Sequence, residues 1–273
     1  LDVKDVQKAP NKQHLHFVKV IRGSVKIGDV FTLYVNHDER EDVKRNHSAT
    51  HLLQAALTKV LGNHIKQMGS FVSSEYLRFD FTHYEKINET QLNDIEHVVN
   101  EMIKEAIPAD IKILPIEEAN KLGARAFFSE KYGKEVRVVK FGEDSIEFCA
   151  GCHVDNTEEI GVFVIESEES IASGVRRIQA RTSLKGYELL KEKEMLLNNA
   201  RDLVGAKSTF ELKDRLNAIL HEKDEMKKAN EQLVDKLSQL TAMSLVDKFE
   251  EIAGHHVLVS YVENTDLANL NKI

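Results

Sequence analysis

Residues 135–165, EVRVVKFGEDSIEFCAGCHVDNTEEIGVFVI, decide the fold class. Three short runs within them, EVRVVKF (135–141), SIEFC (145–149) and GVFVI (161–165), are rich in β-branched and aromatic residues. Gly142 and Gly161 separate them, and apolar runs bounded by turn residues read as strands. The run ARAFF (124–128), closed off by Gly133, reads the same way. The motif Cys149-Ala-Gly-Cys152-His153 therefore stands at the end of a strand, with Gly151 placed to let the backbone turn tightly.

Upstream, a helix is expected over 46–61, with Ala49, Leu52, Leu53, Ala56, Leu57 and Val60 as its buried stripe and Gly62 as its stop. His47, Thr50, His51 and Gln54 fall on its other side. Residues 76–81 (YLRFDF) alternate, with Leu77, Phe79 and Phe81 facing one way. Asn88 and Gln91 predict a capping box for an amphipathic helix bearing Leu92, Ile95, Val99, Met102 and Ile103, closed by Pro108. Strands, helices and strands without regular βαβ alternation argue for an α+β fold with an antiparallel sheet and packed helices.

Both ends differ in character. Residues 1–36 read as short strands, 14–21 and VFTLYV (30–35) among them, too few to close a stable unit. From 184 to 250 the chain reads as a coiled-coil-like helical hairpin, 186–204 and 208–249, with Ser208 and Glu211 as a capping box. Its second arm carries Leu212, Leu216, Ile219, Met226, Leu233, Leu237 and Leu240, broken by Lys223 and Asn230. The strand-like HHVLVSYV (255–262) opens a further segment.

Composition excludes several classes. A net charge of −8, from 37 basic and 45 acidic residues, argues against a chain that coats nucleic acid non-specifically. No apolar run reaches the length of a membrane span, and the N-terminus lacks an export signal. With 2 cysteines in one motif, a disulfide framework is not expected and a reducing cytoplasm fits best. The missing initiator Met and the strand-like start point to an excised piece of a longer protein.

The chemistry lies in two motifs, His47-Ser-Ala-Thr-His51 and Cys149-Ala-Gly-Cys152-His153. Imidazoles four residues apart lie one helical turn from each other. Without a Glu after the first His, the HExxH protease reading falls away. The second motif fits the c-type haem pattern C-x-x-C-H, but haem attachment needs export and would leave the histidine pair without a role. A redox C-x-x-C lacks its thioredoxin-like βαβ setting. Zinc uses the available ligands, in one of two ways. Cys149 and His153 can join His47 and His51, with Cys152 as a neighbour, or Cys149 and Cys152 can form a knuckle with His153 behind it. Between Ser170 and Tyr187 no acidic residue occurs, while Arg176, Arg177, Arg181 and Lys185 do, a candidate phosphate-binding stretch. Lys66 and Arg78 are weaker candidates.

HSATHLLQAAL, KQMGSFVSSEYLRFDFTH, EKYGKEVRVVKFG, CAGCHVDNTEEIGVF and SGVRRIQA, in this order, resemble the editing domain of bacterial alanyl-tRNA synthetases. The resemblance runs through residues 1–185, and the helical hairpin is similar to the segment that follows that domain. It implies a zinc-dependent hydrolase that removes wrongly attached serine or glycine from the acceptor end of tRNA(Ala). His47, His51, Cys149 and His153 match the family's metal positions, and Thr50 and Gln67 match pocket residues for the mischarged amino acid. The family's usual C-x-G-T-H has Thr where this chain has Cys152, which leaves that residue either lining the pocket or competing as a ligand. The implied layout is partial β-barrel strands over 1–36, the zinc-containing editing domain over 37–185, the hairpin over 186–250 and the start of a C-terminal domain over 251–273. ATP-dependent attachment of alanine would belong to a domain outside this chain. Zinc could polarise the ester carbonyl, activate water or anchor the substrate's amino group. Asn230 in the helical stripe hints at a register-setting homodimer contact. Two alternatives are a freestanding alanyl-tRNA editing protein and a non-catalytic, zinc-stabilised tRNA-binding or dimerisation module. The editing domain of threonyl-tRNA synthetase shares the HxxxH and CxxxH layout, but the flanking blocks do not favour it.

Overall fold

The computed structural model describes residues 1–11, 13–125, 133–246 and 248–261. Most of the expected ARAFF strand (126–128) lies outside the described residues. The chain divides into two compact units, Leu1–Ser183 and Leu184–Ile273.

The first unit opens with an antiparallel hairpin of β1 (Asp2–Lys8) and β2 (His14–Lys19). The expected VFTLYV strand does not form: residues 30–35 have no regular structure, and Val30 and Tyr34 are more than nine-tenths exposed. β propensity alone does not hold a strand whose backbone groups have no ladder partner.

Helix α1 spans His37–Leu61 and starts nine residues before the position expected from its apolar stripe. Polar chemistry sets that start. Asn36 accepts the Glu39 N–H, Asp38 and Glu39 sit at the positive helix end, and Lys44 and Arg45 pair with Glu41 and Asp42 one turn back. The expectation that the histidine-bearing face points away from the core is also overturned. Asn46, Ser48, Thr50, His51 and Gln54 are buried along with the leucines, so this part of α1 is enclosed on all sides.

Two antiparallel sheets enclose it. In the first, β3 (Gln67–Val72), β4 (Leu77–Thr82), β9 (Val175–Thr182) and β8 (Phe163–Ala172) lie in that order. In the second, β6 (Glu135–Phe141) lies between β5 (Ala109–Pro115) and β7 (Ser145–Phe148). Leu77, Phe79 and Phe81 are fully buried and join Leu52, Leu53, Leu57, Phe141, Phe163 and Ile178 in one core. Helix α2 (Glu89–Lys104) has the Asn88–Gln91 capping box that the sequence predicts, and it buries Ile95, Val99, Met102 and Ile103 in that core. A short helix, α3 (Ile116–Lys121), caps a smaller cluster of Ala119, Val136, Val138 and Phe148. The fold is α+β with antiparallel sheets.

The second unit holds α4, which begins at the boundary (Ser183–Val204), α5 (Leu212–Val246) and a hairpin of β10 (Glu250–Ile252) and β11 (His255–Val257). Ser208 is not the cap of α5: residues 207–211 form a turn in which the Glu211 N–H donates to the Ser208 carbonyl, and the helix follows. Of the strand expected over 255–262, the described part ends at Val257, since β10 offers only three residues to pair with, and residue 262 lies outside the described residues. Along α5, Leu216, Met226, Leu233, Leu237 and Leu240 are exposed.

Candidate metal centre

Helix α1 supplies His47 and His51, and the turn leaving β7 supplies Cys149 and His153. One ligand atom from each of the four lies within 4.8 Å of the others. His47 Nε2 is 3.4 Å and His153 Nε2 is 3.2 Å from Cys149 Sγ. The ring centroids are 4.3 Å apart for His47 and His153 and 4.4 Å for His51 and His153. Cys152 is not one of the gathered residues; it is half-buried and lines a shallow groove with Asn36, Glu39 and Arg40.

Electrostatics suit a cation. Burial holds His153 at about 2, His51 well below its ordinary value and His47 below it; neighbouring imidazoles add like-charge repulsion at His51 and His153, and Arg137 at all three. All three rings therefore keep free lone pairs at neutral pH. Burial raises the Cys149 thiol, so its thiolate needs a positive partner. His51 Nδ1 is buried with no hydrogen-bond partner, an orphan that a bound ion would satisfy. Three imidazoles and one thiolate are a zinc-type donor set, and the residues present fit that ion.

The surroundings hold the donors in place. Ser48 Oγ is 3.1 Å from His153 Nδ1 and accepts the Val154 N–H. Arg137 donates to the Cys149 and Gly151 carbonyls at 2.7 and 2.9 Å, clasping the loop. Gly151 has an ordinary backbone conformation, and its role is room rather than turn geometry. A Cβ there would fall well under 3.0 Å from His47 Cε1 and Nδ1. Glu147 Oε2 lies 3.3 Å from His51 Nε2. Burial pushes this carboxyl up to about 8 and the imidazole down, so in the metal-free protein at neutral pH the two meet as neutral groups rather than as an ion pair. Ser48, Arg137 and Glu147 escape a reading by motif because serine, arginine and glutamate are common and act here only through contacts. Ser48 and Glu147 are close in sequence to the ligands, the one available signal, whereas Arg137 had none.

Thr50 is buried on the same turn as the histidines and donates its hydroxyl to the Asn46 carbonyl at 2.8 Å. Gln67 begins β3 and lines a polar cleft with Gln54, Thr58, Asn63, Lys66 and Arg125. Arg176, Arg177 and Arg181 lie on β9 and pair with Glu168, Asp80 and Glu166. Lys185, on α4, is 3.5 Å from Glu188.

Residues 136–179 match the family model described as the threonyl and alanyl tRNA synthetase second additional domain. Fold, four-donor cluster and this match are those of an additional domain of the threonyl and alanyl tRNA synthetase type. Over 99% of its length the chain is 45% identical to an alanine-tRNA ligase of Shouchella clausii, and over 98% it is 46% identical to one of Geobacillus thermodenitrificans. An alanine-tRNA ligase of Bacillus anthracis is 43% identical over 98% of the chain. The chain spans about a third of those relatives, 31% of the first and 30% of the other two. The chain is thus similar along nearly its whole length to one segment of alanine-tRNA ligases, a segment that includes the additional domain shared by threonyl and alanyl tRNA synthetases.

Proposed function

We propose that this chain carries the zinc-dependent hydrolysis of serine and glycine wrongly esterified to tRNA(Ala). The supporting observation is the convergence of His47, His51, Cys149 and His153 beside Thr50, in a chain whose relatives are alanine-tRNA ligases. Bound zinc would supply a positive centre able to polarise a carbonyl, activate water or hold an α-amino group. An aminoacyl ester is already activated, so the chain's own task is to place ester and water rather than to provide a covalent nucleophile.

Thr50 refines the selection. Its proton is committed to the Asn46 carbonyl, so its oxygen is left as an acceptor for a serine hydroxyl. Alanine and glycine alike would leave that acceptor unpaired, at about 1–3 kcal/mol, so this contact favours serine alone. Gln67 offers its amide to the substrate from the neighbouring cleft. Arg176, Arg177, Arg181 and Lys185 contact the phosphates of the acceptor end, where the arginines exchange a carboxylate partner for a phosphate. On this reading the hairpin within residues 1–36 is what the chain holds of a partial barrel, 37–185 is the editing domain, 186–250 a helical hairpin and 251–273 the start of a C-terminal domain. The exposed stripe of α5 supports a homodimer through the helical region. The parent enzyme would join alanine to tRNA(Ala) with ATP in the cytoplasm. Among the described residues no helix is long and apolar enough to cross a membrane.

The test is deacylation of Ser-tRNA(Ala) and Gly-tRNA(Ala) by the chain with and without a chelator. Chelator-sensitive turnover is expected. No turnover with metal retained would assign the centre a structural role in a tRNA-binding module.

A further inference from the structure

Nδ1 of His153 is 3.1 Å from Ser48 Oγ, and the Cys152 backbone lies against the His47 ring. Both of these rings turn Nε2 to Cys149 Sγ. His51 is reversed: Nε2 faces Glu147 Oε2 at 3.3 Å, and Nδ1 is the buried atom without a partner. Glu147 is itself 3% exposed, and its other oxygen has no partner either. It stands on β7 two residues before Cys149, and its backbone bridges to Arg125. A buried carboxyl with an unpartnered oxygen is costly to keep, and neither ligation nor substrate selection as described above employs it.

We propose that Glu147 is a positioning residue: its Oε2, 3.3 Å from His51 Nε2, accepts the N–H of that nitrogen and so presents Nδ1 to the metal ion. An imidazole ligates only through the nitrogen that lacks a proton, so the partner of one nitrogen selects the other as ligand. An accepting carboxylate also makes the ligating nitrogen more basic and fixes the ring's rotation. The centre then has mixed ligation, Nε2 from His47 and His153, Nδ1 from His51 and Sγ from Cys149. This inference rests on the cluster being a metal centre.

The test titrates zinc into the full chain against a chromogenic chelator, alongside long-range proton–nitrogen correlation spectra of the histidine rings. The expected spectrum of the zinc-loaded protein has His51 protonated at Nε2, and His47 and His153 protonated at Nδ1. Glu147→Ala is expected to weaken zinc binding about 10–100-fold, and Glu147→Gln, whose amide oxygen still accepts, to weaken it less. Zinc affinity of Glu147→Ala within twofold of the parent, with the same metal-free melting temperature, overturns the proposal. So does a proton on Nδ1 of His51 in the loaded parent chain, a result that needs no variant to fold. Failure of the parent chain to bind zinc overturns the metal-centre reading itself, whereas normal parent binding with an indifferent Glu147→Ala overturns this inference alone.

Discussion

Gly151→Ala tests whether the centre depends on the close approach of loop and helix. A methyl group there would sit inside the contact envelope of the His47 ring, well under 3.0 Å from Cε1 and Nδ1 and 3.3 Å from Nε2. Either the ring or the loop must retreat by about 1.5–2 Å to restore ordinary carbon contact at about 3.5–4.0 Å. The loop is tethered by the two Arg137 hydrogen bonds, so the ring yields more readily. Metal–ligand distances tolerate about ±0.2 Å, so a shift of that size removes His47 as a ligand. We expect zinc affinity to fall by more than tenfold, while overpacking costs the metal-free fold about 1–3 kcal/mol. Chelator competition reads the first quantity and urea denaturation of the metal-free protein the second. Gly133→Ala is the control, since among the described residues its nearest neighbour beyond the adjoining ones would be 3.9 Å from the new Cβ. Zinc affinity of Gly151→Ala equal to that of Gly133→Ala, in a folded protein, would refute the reasoning.

Thr50→Val should slow removal of serine about tenfold or more while affecting glycine less, because only serine has a hydroxyl to lose its acceptor; equal losses count against the assigned role. The metal-free protein should lose stability on acidification. The folded pKa values of His47, His51 and His153 lie below the unfolded value near 6.5, so the unfolded chain takes up more protons as pH falls through it. Glu147, raised to about 8, acts in the opposite sense between about 4.5 and 8, but one carboxyl is outweighed by three imidazoles below pH 6.5. A urea midpoint higher at pH 5.5 than at pH 7.5 would contradict this. Arg181→Gln should weaken tRNA binding and lower the slope of log affinity against log salt by about 1; an unchanged slope would confine Arg181 to its bridge with Glu166.

What the sequence determined by itself is what near neighbours along the chain decide. The alternation of Leu77, Phe79 and Phe81 and the Asn88–Gln91 cap act over two or three residues, and both read correctly. The HxxxH and CxxxH spacings likewise announced candidate donors. Local reading misjudged the start of α1, which polar caps and i,i+3 pairs set rather than an apolar stripe, and it made a strand of 30–35, which has no partner. It also found no acid near the β9 arginines, because Asp80, Glu166 and Glu168 reach them across the sheet. Only the tertiary structure decided that the four donors meet, that Cys152 stands apart from them, and that Gly151 is there to make room for His47. The physical reason is range. Caps and periodicity are fixed within one or two turns of chain, whereas the assembly of a metal site, its burial and the partners of its ligands depend on contacts between residues a hundred positions apart.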